Sequence, residues 1–424
     1  MTGVLDLFPD TAAVEDGELR VGGAAASALA AEFGTPLVVY CEETVRARAR
    51  AYREAAPAAL TLYGSKAFPN VALLRLFAEE GLGVDVSTLG ELELALRAEV
   101  PVSRMVVHGN NKSDEELERA AAADAWLVVL DALDEVERAA AAGVRRVLVR
   151  ATPGIDPDTH AAITTGHHGS KFGLPPDQAL EALRRAGDAG LELAGLHVHI
   201  GSQLLDVSAA QLAIDWLGSF AAEARAELGW TPSVVDVGGG LGIRYVPEDP
   251  PLEIPDFVAA VLERLEHAWA LHDLPRPRLI LEPGRSLVGQ AGFTLYRVGV
   301  VKRASETVTY AAVDGGMSDN ARPLLYGARY VALLANRAGE EPDGSYSVCG
   351  KHCESGDVLI ERVPLPEPRR GDLLAVPATG AYTLGMASNY NALPRPAAVL
   401  VRNGRARLIR RRETLDDLLA LEPA

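Results

Sequence analysis

The chain has 424 residues, 48% of them hydrophobic, 23% charged and 5% aromatic, a composition that excludes disordered, collagen-like and disulfide-scaffold proteins and by length points to two domains. Forty-one Lys and Arg against 58 Asp and Glu leave a formal charge of −17, so no nucleic-acid partner is expected. Five lysines and three cysteines (Cys41, Cys349, Cys353) are all the chain carries, and a low, odd cysteine count fits reduced thiols in the cytoplasm.

The opening MTGVLDLFPD has acids where a signal peptide has bases, and an Ala-rich helix is expected over 22–31. No run reaches the roughly 18 apolar residues of a membrane helix, so a cytoplasmic chain without a membrane partner is expected. From residue 36 onward, short β-branched pulses alternate with helix-like stretches, the rhythm of parallel strands joined by crossover helices. The pulses fall at 36–40, 60–65, 83–86, 104–107, 126–130, 145–150, 193–200, 233–238 and 278–283. Nine is one more than an eight-stranded barrel needs, and the first can be a lead-in strand. Helices are expected at 71–80, 91–99 and 114–123, the last opened by Ser113 with Glu116 three residues on, a capping box. A (β/α)8 TIM-type barrel over 36–290 has the usual size for that fold. After about 290, FTLYRVGVVKR, TVTYAAVD, SYSVCG, DVLIERV, DLLAVPA and PAAVLVRNGRARLIRR predict a mostly β domain over 291–424, while residues 1–35 do not belong clearly to the barrel and are expected to pack with the β domain.

Reactive groups in such a barrel sit at the C-terminal ends of strands. Five ends carry unusual residues: Lys66; Asp85; His197, His199 and Ser202; Gly238, Gly239, Gly240 and Gly242; and Glu282, Pro283, Gly284 and Arg285. VDVGGGLG bares main-chain N–H groups that can close on a phosphate, although taken alone it reads equally well as a tight turn, and Ile243 breaks a dinucleotide fingerprint. Lys66 alone reads as a solvated strand cap. Pointing into a barrel mouth it would be desolvated toward a nucleophilic amine suited to a Schiff base. Pyridoxal phosphate chemistry needs an amine, a phosphate cradle, a face against the ring and a partner for the pyridine nitrogen. Lys66, the Gly238–Gly242 loop, His199 and Glu282 fill those roles, and a carboxylate at the nitrogen keeps the ring an electron sink.

The His197-x-His199 pair also invites a metal reading, but later strands offer glycines and Glu282 rather than more histidines, so no metal is assigned. His197 reads as a packed, hydrogen-bonded core histidine. In the C-terminal region, Cys349 inside SYSVCG reads as a small buried hydrophobe. Cys353, on a loop beside His352 and Lys351, is the better candidate for a reactive thiol.

YGSKAF around Lys66, HVHIGSQ at 197–203, VDVGGGLG at 235–242, EPGRSLV at 282–288, VDGGMSDN at 313–320, KHCESGD at 351–357 and TGAYTLGMASNYN at 379–391 together resemble the diaminopimelate decarboxylase family, of the alanine-racemase-like pyridoxal phosphate fold. The resemblance runs over nearly the whole chain in the family's order. It implies a cofactor-binding barrel, a β domain built from both chain ends, and a head-to-tail homodimer with shared active sites. It implies conversion of meso-2,6-diaminopimelate to L-lysine and carbon dioxide, the last step of lysine biosynthesis. Lys66 would carry the cofactor, His199 stack on its ring and Glu282 face its nitrogen, with Ser202, Gly239, Gly240, Gly284 and Arg285 as phosphate or ring contacts. Arg285, Arg322 and Tyr326 would hold the distal end of the amino-acid substrate, and Tyr382 would touch both cofactor and substrate. From the partner subunit, Cys353 would act near the α-carbon and Glu354 would read the distal ammonium. DVSTLGEL departs from the family's habit with Leu89 in place of glycine, and no role follows for His167, His168 or Lys171. The nearest alternative is a decarboxylase of ornithine, arginine or carboxynorspermidine on the same fold. A catalytically silent pyridoxal-binding homologue is disfavoured because Lys66 and Cys353 are both present.

Overall fold

The computed structural model describes residues 2–153, 170–199 and 201–423. They form two compact units, Arg48–Gly242 with Leu252–Ser286, and Met1–Ala47 with Ile243–Pro251 and Leu287–Ala424.

The first unit is a closed barrel of eight parallel strands: Leu60–Gly64, Gly83–Val86, Met105–Val107, Leu127–Leu130, Arg146–Arg150, Glu192–His197, Val234–Asp236 and Arg278–Leu281. Each pairs with its neighbour in sequence, and Ile280 opposite Leu60 closes the ring. Most of these strands are buried at every position, because one face meets the barrel interior and the other the surrounding helices, which is why they read as unbroken apolar pulses. Leu60, Leu62, Val106, Leu127, Val129, Leu148, Val234 and Ile280 fill the interior, alternate residues forming packed layers. Gly195 admits no side chain there, since a Cβ would stand 1.7 Å from the Val234 carbonyl oxygen. The expected helices are Val71–Glu79, Leu89–Arg97 and Asp114–Ala122, and the Ser113/Glu116 capping box is formed in both directions. Leu89 opens its helix: its N–H donates to Glu116 Oε1 at 2.9 Å, so the missing glycine is met by ordinary helical backbone.

The second unit is built on a nine-stranded sheet. The six expected C-terminal segments appear as Gly292–Arg303, Thr309–Val313, Gly344–Cys349, Val358–Leu365, Leu373–Val376 and the hairpin Ala397–Arg402 with Arg405–Arg410. The pulse at 36–40 belongs here too: Leu37–Cys41 pairs antiparallel with Gly292–Arg303 and parallel with Ala397–Arg402. Its five residues are all buried, so its composition matches a barrel strand, and only the pairing tells them apart. The Ala-rich run splits into a short strand, Ala24–Ala25, and the helix Ala26–Phe33. Phe8, Leu19, Val21 and Leu29 share one buried cluster with Phe293, Leu295 and Val399, which ties the N-terminal segment to this sheet.

Candidate active site

Every barrel strand delivers a polar side chain at or just past its C-terminal end. Lys66 sits in the 3-10 turn Ser65–Ala67 after the first strand; Asp85, Arg150, His197 and Asp236 lie within their strands; His108, Asp131 and Glu282 follow theirs directly. Lys66, His108, Arg150, His197, His199 and Glu282 line one cavity of about 590 Å³ with the loop 109–111, inside the roughly 300–1,000 Å³ of small-molecule sites.

The electrostatics of this mouth favour an anion at Glu282. Glu282 is buried, its Oε1 2.6 Å from His108 Nε2 and its Oε2 3.5 Å from His197 Nε2. Burial works to raise its carboxyl, but His108 and His197 overcome that and hold it well below the usual carboxylate range. Burial pushes Asp85 up, and burial together with the nearby Glu282 pushes Asp236 well up. Desolvation drives His197 down to about 3 and, with Lys66 and Arg150, takes His199 well below the ordinary histidine value. Neighbouring carboxyls are thus pushed in opposite directions, Glu282 down and Asp85 and Asp236 up. Arg150 is held by Asp131 at 3.3 Å and lies 4.6 Å from the centre of the Phe172 ring.

The glycine turn packs against the Glu282 backbone. A Cβ on Gly239 would stand 2.2 Å from the Glu282 carbonyl oxygen, and one on Gly240, whose φ is +114°, 2.9 Å from Leu204. Arg285 Nη2 donates to Ser202 Oγ at 3.0 Å, joining two more of the expected anion contacts. In the chain taken alone the Lys66 side chain keeps 51% of its surface, with Nζ 3.8 Å from Asp85 Oδ2.

The second unit gathers its own candidates. Arg322 is buried, donates from Nε to Tyr330 Oη at 2.9 Å, and lies 5.0 Å from the Tyr245 ring and 5.9 Å from that of Tyr326. Tyr382 has φ of 57°, a left-handed backbone that a non-glycine residue holds only where its surroundings enforce it. The Cys353 loop is organised by Asp357, whose carboxylate accepts N–H bonds from Met317 and His352 and lies 3.0 Å from His352 Nδ1. The His352 ring stacks on Tyr390 at 5.7 Å. Cys353 and Glu354 are exposed, and the Cys353 N–H donates to Asn391 Oδ1 at 3.1 Å. Cys349 is half-buried rather than buried, because it ends its strand.

Residues 42–289 match the family model described as the pyridoxal binding domain of pyridoxal-dependent decarboxylases. A diaminopimelate decarboxylase of Actinosynnema pretiosum is 47% identical over 98% of this chain and 95% of its own length, and one of Bacillus subtilis is 42% identical over 96% of each. Among solved structures, the diaminopimelate decarboxylase of M. jannaschii in co-complex with L-lysine superposes with a TM-score of 0.91 at 33% identity, covering 98% of both chains. The chain belongs to the diaminopimelate decarboxylase family.

As a member of that family it is a pyridoxal phosphate-dependent decarboxylase. The residues present fit the cofactor: an amine at Lys66 and an anion at Glu282 line one cavity, and the side-chain-free turn at Gly239 packs against the Glu282 backbone. His108, Arg150 and Asp131 were missed in the sequence, although the strand-end criterion that selects Lys66 selects them equally. His167 and His168 lie outside the described residues; Lys171 Nζ sits 4.8 Å from the Phe172 ring centre. Among the described residues no helix is long and apolar enough to cross a membrane.

Proposed function

We propose that this chain decarboxylates meso-2,6-diaminopimelate to L-lysine and carbon dioxide, as a cytoplasmic homodimer. The observation that carries the reading is the placement of Lys66 and the anionic Glu282 on one cavity, in a chain whose near full-length relatives carry that activity in their names. When bound, pyridoxal phosphate supplies an aldehyde for an amine and a ring that accepts the electron pair left by departing carbon dioxide.

The chain's own groups do the rest. Lys66 would be the amine that carries the cofactor. His199 would lie against the ring face, and Glu282, held as an anion, would keep a proton at the ring nitrogen. Gly239, Gly240, Gly284, Ser202 and Arg285 would hold the phosphate through N–H, hydroxyl and guanidinium donors. The distal end of the substrate is a zwitterion, so it needs both a carboxylate clamp and an ammonium acceptor. Arg285 and Arg322 serve as the first, with Tyr326 and Tyr382 against the chain, and Glu354 of the partner subunit as the second. Cys353 of the partner subunit would return a proton to the α-carbon.

Lys66→Ala tests the placement. Turnover and the visible absorbance of the bound cofactor should both vanish; a yellow, fully active variant would overturn it.

A further inference from the structure

We propose that His108 is a positioning residue for the reaction: its Nε2–H grips one oxygen of Glu282, so that the other is presented, as an anion, to the ring nitrogen of the cofactor. The inference rests on the role given to Glu282 above and extends it to a residue that acts through that carboxylate.

The two residues are 174 positions apart in sequence, meet at 2.6 Å and are both buried. An ionised carboxylate only accepts, so at this distance the proton must sit on Nε2 of the imidazole, and a bond to a charged acceptor is stronger and more directional than one between neutral groups. The backbone that carries the imidazole is itself held on several sides. The main-chain N–H of His108 donates to the Val86 carbonyl at 2.7 Å. The next residue, Gly109, gives its carbonyl to Lys112 Nζ at 2.7 Å, and that ammonium is anchored by Glu135 Oε1 at 2.7 Å. The ring meets His197 edge-on with centroids 4.9 Å apart. An exposed histidine would sample several rotamers; this one is built in.

The charged and titratable groups facing the pair are Asp85, whose Oδ1 is 3.8 Å from His108 Nε2, His197, and Asp236, with Lys66 and Arg150 on the same cavity. Asp85 and Asp236 are both pushed up by burial and by Glu282, and would work against an anion there only when ionised. His108 and His197 oppose them, and His108 makes the shorter contact of the two. Removing His108 should therefore let the Glu282 carboxyl rise toward protonation, which weakens its hold on the ring nitrogen.

The test compares His108→Leu, His108→Gln and His108→Asn in the full chain, by three readouts: pyridoxal phosphate affinity of the cofactor-free protein, KM against kcat on meso-diaminopimelate, and the acid limb of the kcat profile. For His108→Leu, kcat should fall about tenfold or more with KM held within about twofold, the loss expected of one bond to a charged group. The acid limb should move to higher pH by about one unit and the cofactor should bind more weakly. Glutamine, whose amide can still donate, should return the limb toward wild type, while the shorter asparagine should not. If His108→Leu fails to fold, the glutamine and asparagine pair carries the same comparison. A limb that stays in place with undiminished cofactor affinity in folded His108→Leu, or glutamine and asparagine variants that behave alike, would overturn the role of His108. Wild-type protein inert toward meso-diaminopimelate would instead overturn the proposed function, and the cofactor affinities of the three variants would still decide the case for His108.

Discussion

Lys112 offers the sharpest structural perturbation. Its side chain keeps only 1% of its surface, and Glu135, its partner, 4%. Nζ donates to Glu135 Oε1 and to the Gly109 carbonyl, each at 2.7 Å, and Glu135 Oε2 accepts the Asp131 N–H at 2.7 Å. Burial draws the ammonium below its ordinary value while Glu135 pulls the other way. Lys112→Met keeps the length and apolar stem but strands a buried carboxylate, a loss of about 3–5 kcal/mol. For a unit of this size each kcal/mol moves the midpoint by roughly 2–4 °C, so unfolding should come about 6–20 °C earlier. Circular dichroism of the cofactor-free protein on heating reads this directly. Lys112→Met combined with Glu135→Gln removes both charges yet keeps an acceptor for Asp131, and should recover most of the loss. A single variant melting within about 2 °C of wild type, or a double variant as unstable as the single, would refute the reasoning.

Cys353→Ala should cripple decarboxylation while leaving the cofactor bound; an unchanged rate would remove the proton role. Mixing Lys66→Ala with Cys353→Ala subunits should restore partial activity if sites are shared between subunits, and no recovery would favour sites made within one chain. Gly239→Ala places a methyl 2.2 Å from the Glu282 carbonyl oxygen, so titration of the cofactor-free variant should show weakened pyridoxal phosphate binding; wild-type affinity would mean the turn is not the cradle. Burial pushes the Asp319 carboxyl from 3.8 up to about 7. Between those values the folded state holds a proton that the unfolded chain has lost, so this group's contribution is full below about pH 4 and declines as pH rises through about 7. Asp319→Asn should flatten that decline in denaturant midpoints, and parallel profiles for the two proteins would exclude it.

Much of the barrel was legible because its strands are buried on both faces and its helices carry explicit caps, as at Ser113. The strand Leu37–Cys41 was not placed by its composition, since an all-buried pulse looks the same in a barrel and in a sheet centre. Lys66 and Glu282 stood out at strand ends, and their shared cavity supports the expectation. What could not be read was contact across the ring. His108 and Glu282 sit on strands far apart in sequence, and nothing local marks one as the other's partner. Lys112 was counted among five lysines without a role, because a buried ammonium is distinguished only by Glu135 and Gly109 folding onto it.

Carbon dioxide release from the separated stereoisomers of diaminopimelate, with and without added pyridoxal phosphate and beside ornithine, arginine and carboxynorspermidine, tests the proposed reaction most directly. Release from the meso isomer with stoichiometric L-lysine, dependent on the cofactor, is the expected result. Release from one of the other amino acids, with none from meso-diaminopimelate, would contradict it.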